Sequence, residues 1–369
     1  MSGAALADVL ARSNLLVTCG PGGVGKTTTA AALGIAAAQA GRRVVVVTVD
    51  PARRLADALG IDLDKKMYDP HEVVGPGRNG GALWALMLDA ETTFDRLIIE
   101  RAGDRAKADK ILANRVYRSI AGSLAGAQDY MAIERLHQLH DSGLYDLIIV
   151  DTPPSRDAID LLEAPDRLVR FLGHPIYRAL TMPQRSFAKV TNAGTTAFLW
   201  VVRRLAGPRL VEDTIEFFRS LAGMEQGLRR RAAEVSVLLR SPGTSFVVVS
   251  SPRSEAVGES AHLAAKIIDG GFGLDSVVIN LVHPSFVTSA EAGTALDAFD
   301  DLEPGPLADQ IAYHRELVAL AASERAEMIE LTRLADHGCV TEVPLLDGDV
   351  HDIDGLARLA QILVGTVGS

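Results

Sequence analysis

Two kinds of segment alternate along the chain: short apolar runs rich in β-branched residues, and longer stretches in which apolar residues recur at helical spacing. The short runs are typical of strands that are covered on both faces, as parallel strands are. They predict strands at residues 15–18, 43–50, 82–88, 147–150, 246–250, 276–281 and 339–343. About seven strands with helical crossovers predict an α/β fold with a doubly wound, mostly parallel sheet.

The first predicted strand leads into a glycine-rich loop. Residues 20–27 read GPGGVGKT and satisfy the phosphate-loop pattern GxxxxGK[ST], and an Ala-rich helix is predicted over 30–40. Glycines let the backbone approach a phosphate closely, and a helix N-terminus attracts an anion. The pattern therefore predicts a P-loop NTPase, with Lys26 reaching the β/γ-phosphates and Thr27 binding Mg²⁺. We assign nucleotide contacts to Gly20, Gly22, Gly23, Val24, Gly25, Lys26, Thr27 and Thr28.

Two other predicted strands end in an aspartate, Asp50 and Asp151. Ligands of open α/β sheets bind at this carboxyl edge, and an apolar strand ending in Asp places a carboxylate near the Mg²⁺ of a nucleotide. An aspartate at this position also often caps the helix that follows. Beside a phosphate loop we assign both residues to the metal, and we count Asp151, with Lys26, among the catalytic candidates.

Strand patterns are missing from two long segments. Residues from about 92 to 142 show helical spacing with mixed charge. Residues 165–241 show helical spacing broken at Pro175, Pro183 and Pro208. We therefore predict a P-loop nucleotide-binding domain formed by residues 1–164 and 242–369, with a helical subdomain inserted at 165–241.

Composition narrows the classes of protein that fit. The 369 residues carry a formal net charge of −10, which argues against a general nucleic-acid binder. The two cysteines, Cys19 and Cys339, lie far apart in apolar stretches and are typical of small buried side chains. Neither a secretory leader nor an apolar run of membrane-spanning length is found. We expect a soluble, cytoplasmic protein, with peripheral attachment to a membrane left open.

Three segments together resemble the arsenite-pump and tail-anchored-protein-targeting ATPases, the ArsA-like, anion-transporting family of the deviant-Walker class. They are the loop at 20–27, the segment TVDPARRLAD at 48–57 and the segment DTPPS at 151–155. The resemblance covers nearly the whole chain and is closest to the bacterial, especially actinobacterial, branch, whose genes often occur as two adjacent paralogues. It implies ATP or ADP with Mg²⁺ as ligands, and a dimer that sandwiches the nucleotide.

The resemblance also implies roles for residues outside the loop. Asp57 ends the first switch and would position the attacking water, while residues 151–155 form the second switch and would sense the γ-phosphate. The adenine pocket would use Asn280 and the segment around Pro344, and residues 251–255 would face the nucleotide across the dimer. From the residues alone, Asp57 is either this proton acceptor or an acid on the solvent face of a short helix.

The sequence departs from the family pattern at several positions. Pro21 stands where the family carries a lysine that reaches the partner's nucleotide, and proline has neither charge nor N–H donor. Arg53 replaces a histidine of the first switch, and Arg156-Asp157 replace Gly-His after the second. Arg53 or Arg156 either substitutes for that lysine on the transition-state charge or forms surface pairs with Asp57 or Asp157. The zinc-binding Cys-x-x-Cys pair of the eukaryotic members is absent, so we expect no zinc.

These features predict an ATPase whose hydrolysis opens and closes a dimer that handles a protein or membrane-associated client. Pro21 favours a heterodimer with a paralogous chain over a homodimer. One alternative is a low-turnover regulatory or scaffold subunit beside a competent paralogue. A partitioning ATPase of the ParA/MinD kind is a weaker alternative because it needs a basic DNA-binding face, and the matched switches disfavour an ordinary small-molecule kinase.

The helical insert is the expected place for a client. Its apolar residues form either an exposed groove or packing between helices, and the sequence leaves both open. The apolar candidates are Met182, Phe187, Phe198, Leu199, Trp200, Phe217, Phe218 and Met224.

Overall fold

An eight-stranded sheet forms the centre of the computed structural model, which describes residues 2–49, 54–61, 69–75, 77, 79–101, 104–114, 117, 127–174, 177, 208–220, 225–284, 299, 304–335 and 339–365. The strands are β1 (Leu15–Cys19), β2 (Arg43–Thr48), β3 (His71–Val74), β4 (Ala82–Met87), β5 (Leu147–Asp151), β6 (Thr244–Ser250), β7 (Leu274–Val282) and β8 (Cys339–Pro344). Their order is β3-β4-β2-β5-β1-β6-β7-β8. Each neighbouring pair is parallel except β3 and β4. The predicted α/β fold with a mostly parallel sheet is confirmed.

Helices connect the strands on both sides of the sheet. In the described residues they are α1 (Ser2–Arg12), α2 (Lys26–Gln39), α3 (Arg54–Leu59), α4 (Ala90–Arg101), α5 (Arg105–Ala113), α6 (Ala127–Asp141), α7 (Ser155–Gly173), α8 (Pro208–Ser220), α9 (Glu225–Leu239), α10 (Ser254–Asp269), α11 (Pro306–Leu334) and α12 (Ile353–Val364). None of these helices has both the length and the apolar character that crossing a lipid bilayer requires.

Each of the seven predicted strands corresponds to an observed strand, with ends that differ by a few residues. Helix α2 begins at Lys26, four residues before the predicted start, because the phosphate loop turns directly into it. Strand β3 was not predicted. It pairs antiparallel with β4 at the edge of the sheet, and its first residues, His71 and Glu72, are exposed. An exposed edge strand has no buried apolar run, which was the pattern that predicted the others.

Strand side chains alternate between two cores, one on each side of the sheet. On β1, Leu15, Val17 and Cys19 belong to the core that includes residues of α6, α7, α9 and α10. Leu16 belongs to the opposite core, which includes α1, α2 and α12. Because strands next to β1 are buried on both faces, the loop that follows β1 starts from a fixed position.

Helix α7 runs through the predicted boundary between residues 164 and 165, with Pro165 inside the helix. Helix α8 begins at Pro208, a residue that suits a first helical position. Pro175 and Pro183 lie outside the described residues. The division into a nucleotide-binding domain and a helical insert stays a prediction.

Most of the apolar candidates for a client surface, Met182, Phe187, Phe198, Leu199, Trp200 and Met224, also lie outside the described residues. Of the other two, Phe217 is buried and packs with Ile98 and Tyr117, and Phe218 is half-buried beside it. Phe217 therefore contributes to packing between helices.

Candidate functional site

The phosphate loop connects β1 to α2, and two of its glycines lie so close to the neighbouring strands that a Cβ would not fit. A Cβ at Gly20 would collide with the carbonyl oxygen of Val249 on β6, so only glycine fits there. Gly25 caps α2 with a left-handed φ of 87°, and a Cβ at Gly25 would collide with the side-chain amide of Asn280. The loop geometry therefore depends on the neighbouring strands β6 and β7 as well as on its own sequence.

Lys26 is the buried cation of the loop. Its side-chain amine donates a hydrogen bond to the carbonyl of Pro21, 2.6 Å away, and thus lies across the loop. Phosphate oxygens are better partners for an ammonium than a neutral carbonyl, because the two opposite charges add a Coulomb attraction to the hydrogen bond. Pro21 contributes a backbone acceptor here and no charge.

A carboxylate and two hydroxyls meet beside the start of α2. Asp151, at the end of β5, accepts a hydrogen bond of 2.8 Å from the Thr27 hydroxyl and one of 3.0 Å from the Thr48 hydroxyl. β1 and β2 both pair with β5, which brings Thr18 and Thr48 into register with Asp151. The structure therefore brings together Asp151 and Thr27, two of the residues that we predicted for the metal.

Oxygen ligands of this kind fit Mg²⁺. Among the described residues no group of three or more His, Cys, Asp or Glu side chains could hold a metal ion. Mg²⁺ needs no such cage, because nucleotide phosphates and waters supply most of its ligands. The Thr27 hydroxyl would hold the ion beside the phosphates, with the Asp151 carboxylate next to it. Asp50, the third predicted metal ligand, lies outside the described residues.

The second switch begins with Asp151, and Thr152 follows as its second residue. The Thr152 backbone N–H and hydroxyl both donate to the carbonyl of Thr18, at 3.3 and 2.8 Å. This carbonyl belongs to β1, so Thr152 attaches the second switch to the strand that leads into the phosphate loop. The side chains of Arg156 and Asp157 lie outside the described part of the chain, as does Arg53.

One cleft of about 370 Å³ joins the loop to both switches. Lys26 and Thr27 line it from the loop, Asp57 from α3, and Thr152 from the second switch. Gly23, Gly25 and Thr28 of the predicted set also line it. Asp57 is exposed on α3 and faces this cleft, which distinguishes it from an acid that faces bulk solvent.

Asn280 and Pro344 lie on neighbouring strands beside the loop. The Asn280 side-chain amide donates to the carbonyl of Val24, 2.9 Å away, and so supports the loop from β7. The next residue, Leu281, has a positive φ of 63°, and the pairing of β7 with β8 shifts register before Val282 meets Pro344. Adenine recognition by Asn280 and Pro344 stays a prediction, since the contact seen is with the loop.

Cys19 lies under the loop and is fully buried. Burial raises the pKa of its thiol to about 12, although a hydrogen bond to Thr152 acts in the opposite direction. A thiol with this pKa is protonated at neutral pH and is not a nucleophile. Cys19 is therefore a small buried side chain of the hydrophobic core, as its sequence context indicated.

Four residues of the site were not singled out by sequence. Arg54 lines the cleft beside Asp57, Thr48 contacts Asp151, and Val350 with His351 lines the cleft from the segment between β8 and α12. Thr48 and Arg54 both lie within the segment TVDPARRLAD at 48–57, so their positions in this motif were a usable signal. Nothing in the local sequence of Val350 and His351 marks them, because they reach the cleft only through the fold.

Comparison with known proteins agrees with this geometry. The sequence model of the anion-transporting ATPases matches residues 13–295. A putative arsenical pump-driving ATPase of Aquifex aeolicus is 23% identical over 357 residues, which is 95% of this chain and 78% of that protein. The ATPase GET3B of Arabidopsis thaliana is 28% identical over 283 residues, covering 72% and 63% of the two chains.

A third relative is an uncharacterised protein of Streptomyces coelicolor. It is 33% identical over 299 residues, which is 80% of this chain and 66% of that protein. The chain therefore spans just under two thirds of the length of the Arabidopsis and Streptomyces proteins. The family match covers most of the chain, including the phosphate loop, both switches and Asn280. The chain belongs to the anion-transporting ATPase family.

Proposed function

We propose that this chain binds Mg–ATP in the cleft between the phosphate loop and α3 and hydrolyses it, and that hydrolysis opens and closes a dimer that handles a client. The observation that supports this most directly is the shared cleft. It brings Lys26, Thr27, Asp57 and Thr152 to one volume of about 370 Å³, although Asp57 and Thr152 are far apart in sequence.

In this proposal the chain supplies one set of groups that bind the phosphates and another that holds the metal ion. On nucleotide binding, Lys26 exchanges the Pro21 carbonyl for the β/γ-phosphates, and the loop N–H groups and the start of α2 add donors. Thr27 and Asp151 would hold Mg²⁺, and the bound ion would supply positive charge beside the phosphate oxygens. Asp151 is fixed in place by Thr48, so the metal position is tied to the sheet.

Asp57 is the proton acceptor in this proposal. It orients a water molecule whose oxygen attacks the γ-phosphorus, and the bond from that phosphorus to the bridging oxygen of ADP breaks. The proton of the water passes to the Asp57 carboxylate. Thr152, attached to β1, places the second switch beside the same phosphate.

Helix α7 provides the coupling between the cleft and the helical region. It starts at Ser155, directly after the cleft residue Pro154, and continues for 19 residues to Gly173. At 1.5 Å per residue this is a rod of about 28 Å. It packs along α6, α9 and α10, so a shift of the second switch moves these helices together.

Calorimetry of Lys26→Ala with Mg–ATP tests the phosphate-loop role. We expect turnover to be lost and binding to weaken by about 3 kcal/mol or more, because the phosphates lose their buried cation. Lys110→Ala is the matched control, since Lys110 is an exposed lysine that forms an ion pair with Glu216 far from the cleft. Unchanged ATP affinity and rate in Lys26→Ala would refute the proposal.

A regulatory subunit with little turnover is the second candidate, and Pro21 is the observation that favours it. Its carbonyl accepts from Lys26, and it offers no cation to a partner's nucleotide. A paralogous chain with a lysine at that position would then complete the site of this chain, while this chain would not complete the site of the paralogue.

ATPase rates of this chain, of the paralogue and of their mixture distinguish the two candidates. A self-sufficient ATPase turns over alone and gains little on mixing. A regulatory subunit is nearly inactive alone and active in the mixture. Pro21→Lys should raise the rate of this chain alone only if the missing cation limits it.

A further inference from the structure

The orientation of α3 is fixed by its buried side. Leu55, Ala56 and Leu59 are each 1% exposed and belong to the core formed with α2. Arg54 and Asp57 are exposed and three residues apart, which places them on one face of the helix. Because burial of the other face prevents rotation, Arg54 and Asp57 must face the same side.

That side is the nucleotide cleft. Arg54 and Asp57 both line it, together with Lys26 and Thr27 of the phosphate loop. The helix thus presents a carboxylate and a guanidinium to one volume. In the described part of the cleft lining, Lys26 and Arg54 are the permanently cationic side chains.

A nucleoside triphosphate needs more positive charge than one lysine provides. Its terminal phosphate carries the charge that develops during hydrolysis, and a planar guanidinium binds phosphate oxygens through two parallel N–H donors. Pro21 adds no cation to the loop. Arg54 is therefore placed where an additional cation would act, in the lining of the same cleft as Lys26.

We propose that Arg54 binds the terminal phosphate of the nucleoside triphosphate within the same chain, and so distinguishes the triphosphate from the diphosphate. The inference rests on the proposed function and adds a specificity-determining residue to it. Of the two arginines in ARRLAD, the structure describes the second as part of the cleft, whereas the sequence pointed to Arg53.

A purely structural role for Arg54 predicts a different result. If Arg54 only paired with Asp57 on its own helix, its loss would affect triphosphate and diphosphate equally. If it binds the terminal phosphate, its loss affects only the nucleotide that has this group. The ratio of the two affinities therefore separates the roles.

The test is calorimetry of Arg54→Gln with Mg²⁺ and either ADP or a non-hydrolysable ATP analogue. We expect the analogue to bind at least tenfold more weakly and ADP to change less than threefold. Arg54→Lys should recover part of the loss, because it keeps the charge without the fork. Arg105→Gln is the matched control, since Arg105 is also an exposed first residue of a helix and pairs with Asp109 instead.

Equal analogue affinities for Arg54→Gln and the unaltered chain would overturn the inference. An equal loss for ADP and the analogue would also overturn it, because such a loss reports a change in the whole site. If the unaltered chain binds neither nucleotide, the proposed function fails as well. Normal nucleotide binding with no effect of Arg54 refutes this inference alone.

Discussion

The two ends of helix α7 lie in regions that are held together by different forces. At its start, the cleft is fixed by hydrogen bonds such as those from Thr27 to Asp151 and from Thr152 to Thr18. At its end, Phe171 contacts Phe218 at 6.0 Å between ring centroids, and Phe218 contacts Phe217 at 5.2 Å. Hydrogen bonds are directional, whereas dispersion between rings is weak per atom pair and less directional.

This difference indicates how one chain can combine a precisely held site with a region that is stabilised mainly by apolar packing. The cleft must hold reacting atoms to within fractions of an ångström, so its polar groups are tied to central strands. The aromatic cluster of Phe171, Tyr177, Phe217 and Phe218 is held by ring contacts, which are less directional than hydrogen bonds. The comparison predicts that stability and catalysis respond to different substitutions.

Phe217→Ala should have the largest effect on stability. Phe217 is buried between α4 and α8, and truncation of a buried phenylalanine costs about 3–5 kcal/mol of unfolding free energy. We expect that loss in urea unfolding, with nucleotide affinity of the folded protein unchanged. Leu144→Ala is the control, since Leu144 is exposed and should cost almost nothing. A loss of nucleotide affinity in Phe217→Ala would show that the regions are not separable.

Asp57→Asn should slow hydrolysis and leave the free energy of unfolding unchanged. Asp57 is exposed, so unfolding by urea should be unchanged. Steady-state hydrolysis should slow at least tenfold, about 1.4 kcal/mol of barrier, because an amide accepts the proton of the water poorly. Mg–ATP binding should persist. Asp354→Asn, an exposed first-turn aspartate of α12, provides the control. Normal turnover in Asp57→Asn would remove this residue from the mechanism.

Thiol labelling gives the smallest and most local test. Because burial raises the pKa of Cys19 to about 12, only about one thiolate in 10⁴ exists at pH 8, and reactivity should rise as pH approaches that pKa. In Cys339→Ser, which leaves Cys19 alone, we expect labelling at pH 8 at least a hundredfold slower than after unfolding. In the unaltered chain the half-buried Cys339 should react first. Equally rapid labelling of Cys19 in the folded chain would mean that the core around the end of β1 opens to solvent.

The central strands and the phosphate loop were predictable because each depends on local sequence. A strand covered on both faces needs an uninterrupted apolar run, and the loop needs its glycines and Lys26 at fixed spacing. β3 was not predicted, because it lies at the exposed edge of the sheet. Its residues His71 and Glu72 are polar and give no apolar run. The continuation of α7 through Pro165 was not predicted either, since a proline normally indicates the end of a helix.

The walls of the cleft were only partly predictable. The role of Asp57 was predicted from a family resemblance. Arg54 lies on the same face of α3, but the sequence analysis considered Arg53 instead. His351 approaches the loop from more than 300 residues away in sequence, so only the packing of α12 against α2 reveals it. Local patterns identify groups that share one turn or one strand end, and long-range packing determines which of them meet.

The central position of β1 limits how nucleotide can enter and leave. β1 is paired on both sides, with β5 and β6, and Gly20 is pressed against the backbone of Val249. Moving β1 would break two strand ladders at once, whereas α3 is held by side-chain packing on α2 and α12 and takes no part in either ladder. Exchange of ADP for ATP should therefore proceed by displacement of α3, while β1 and the phosphate loop keep their positions throughout the cycle.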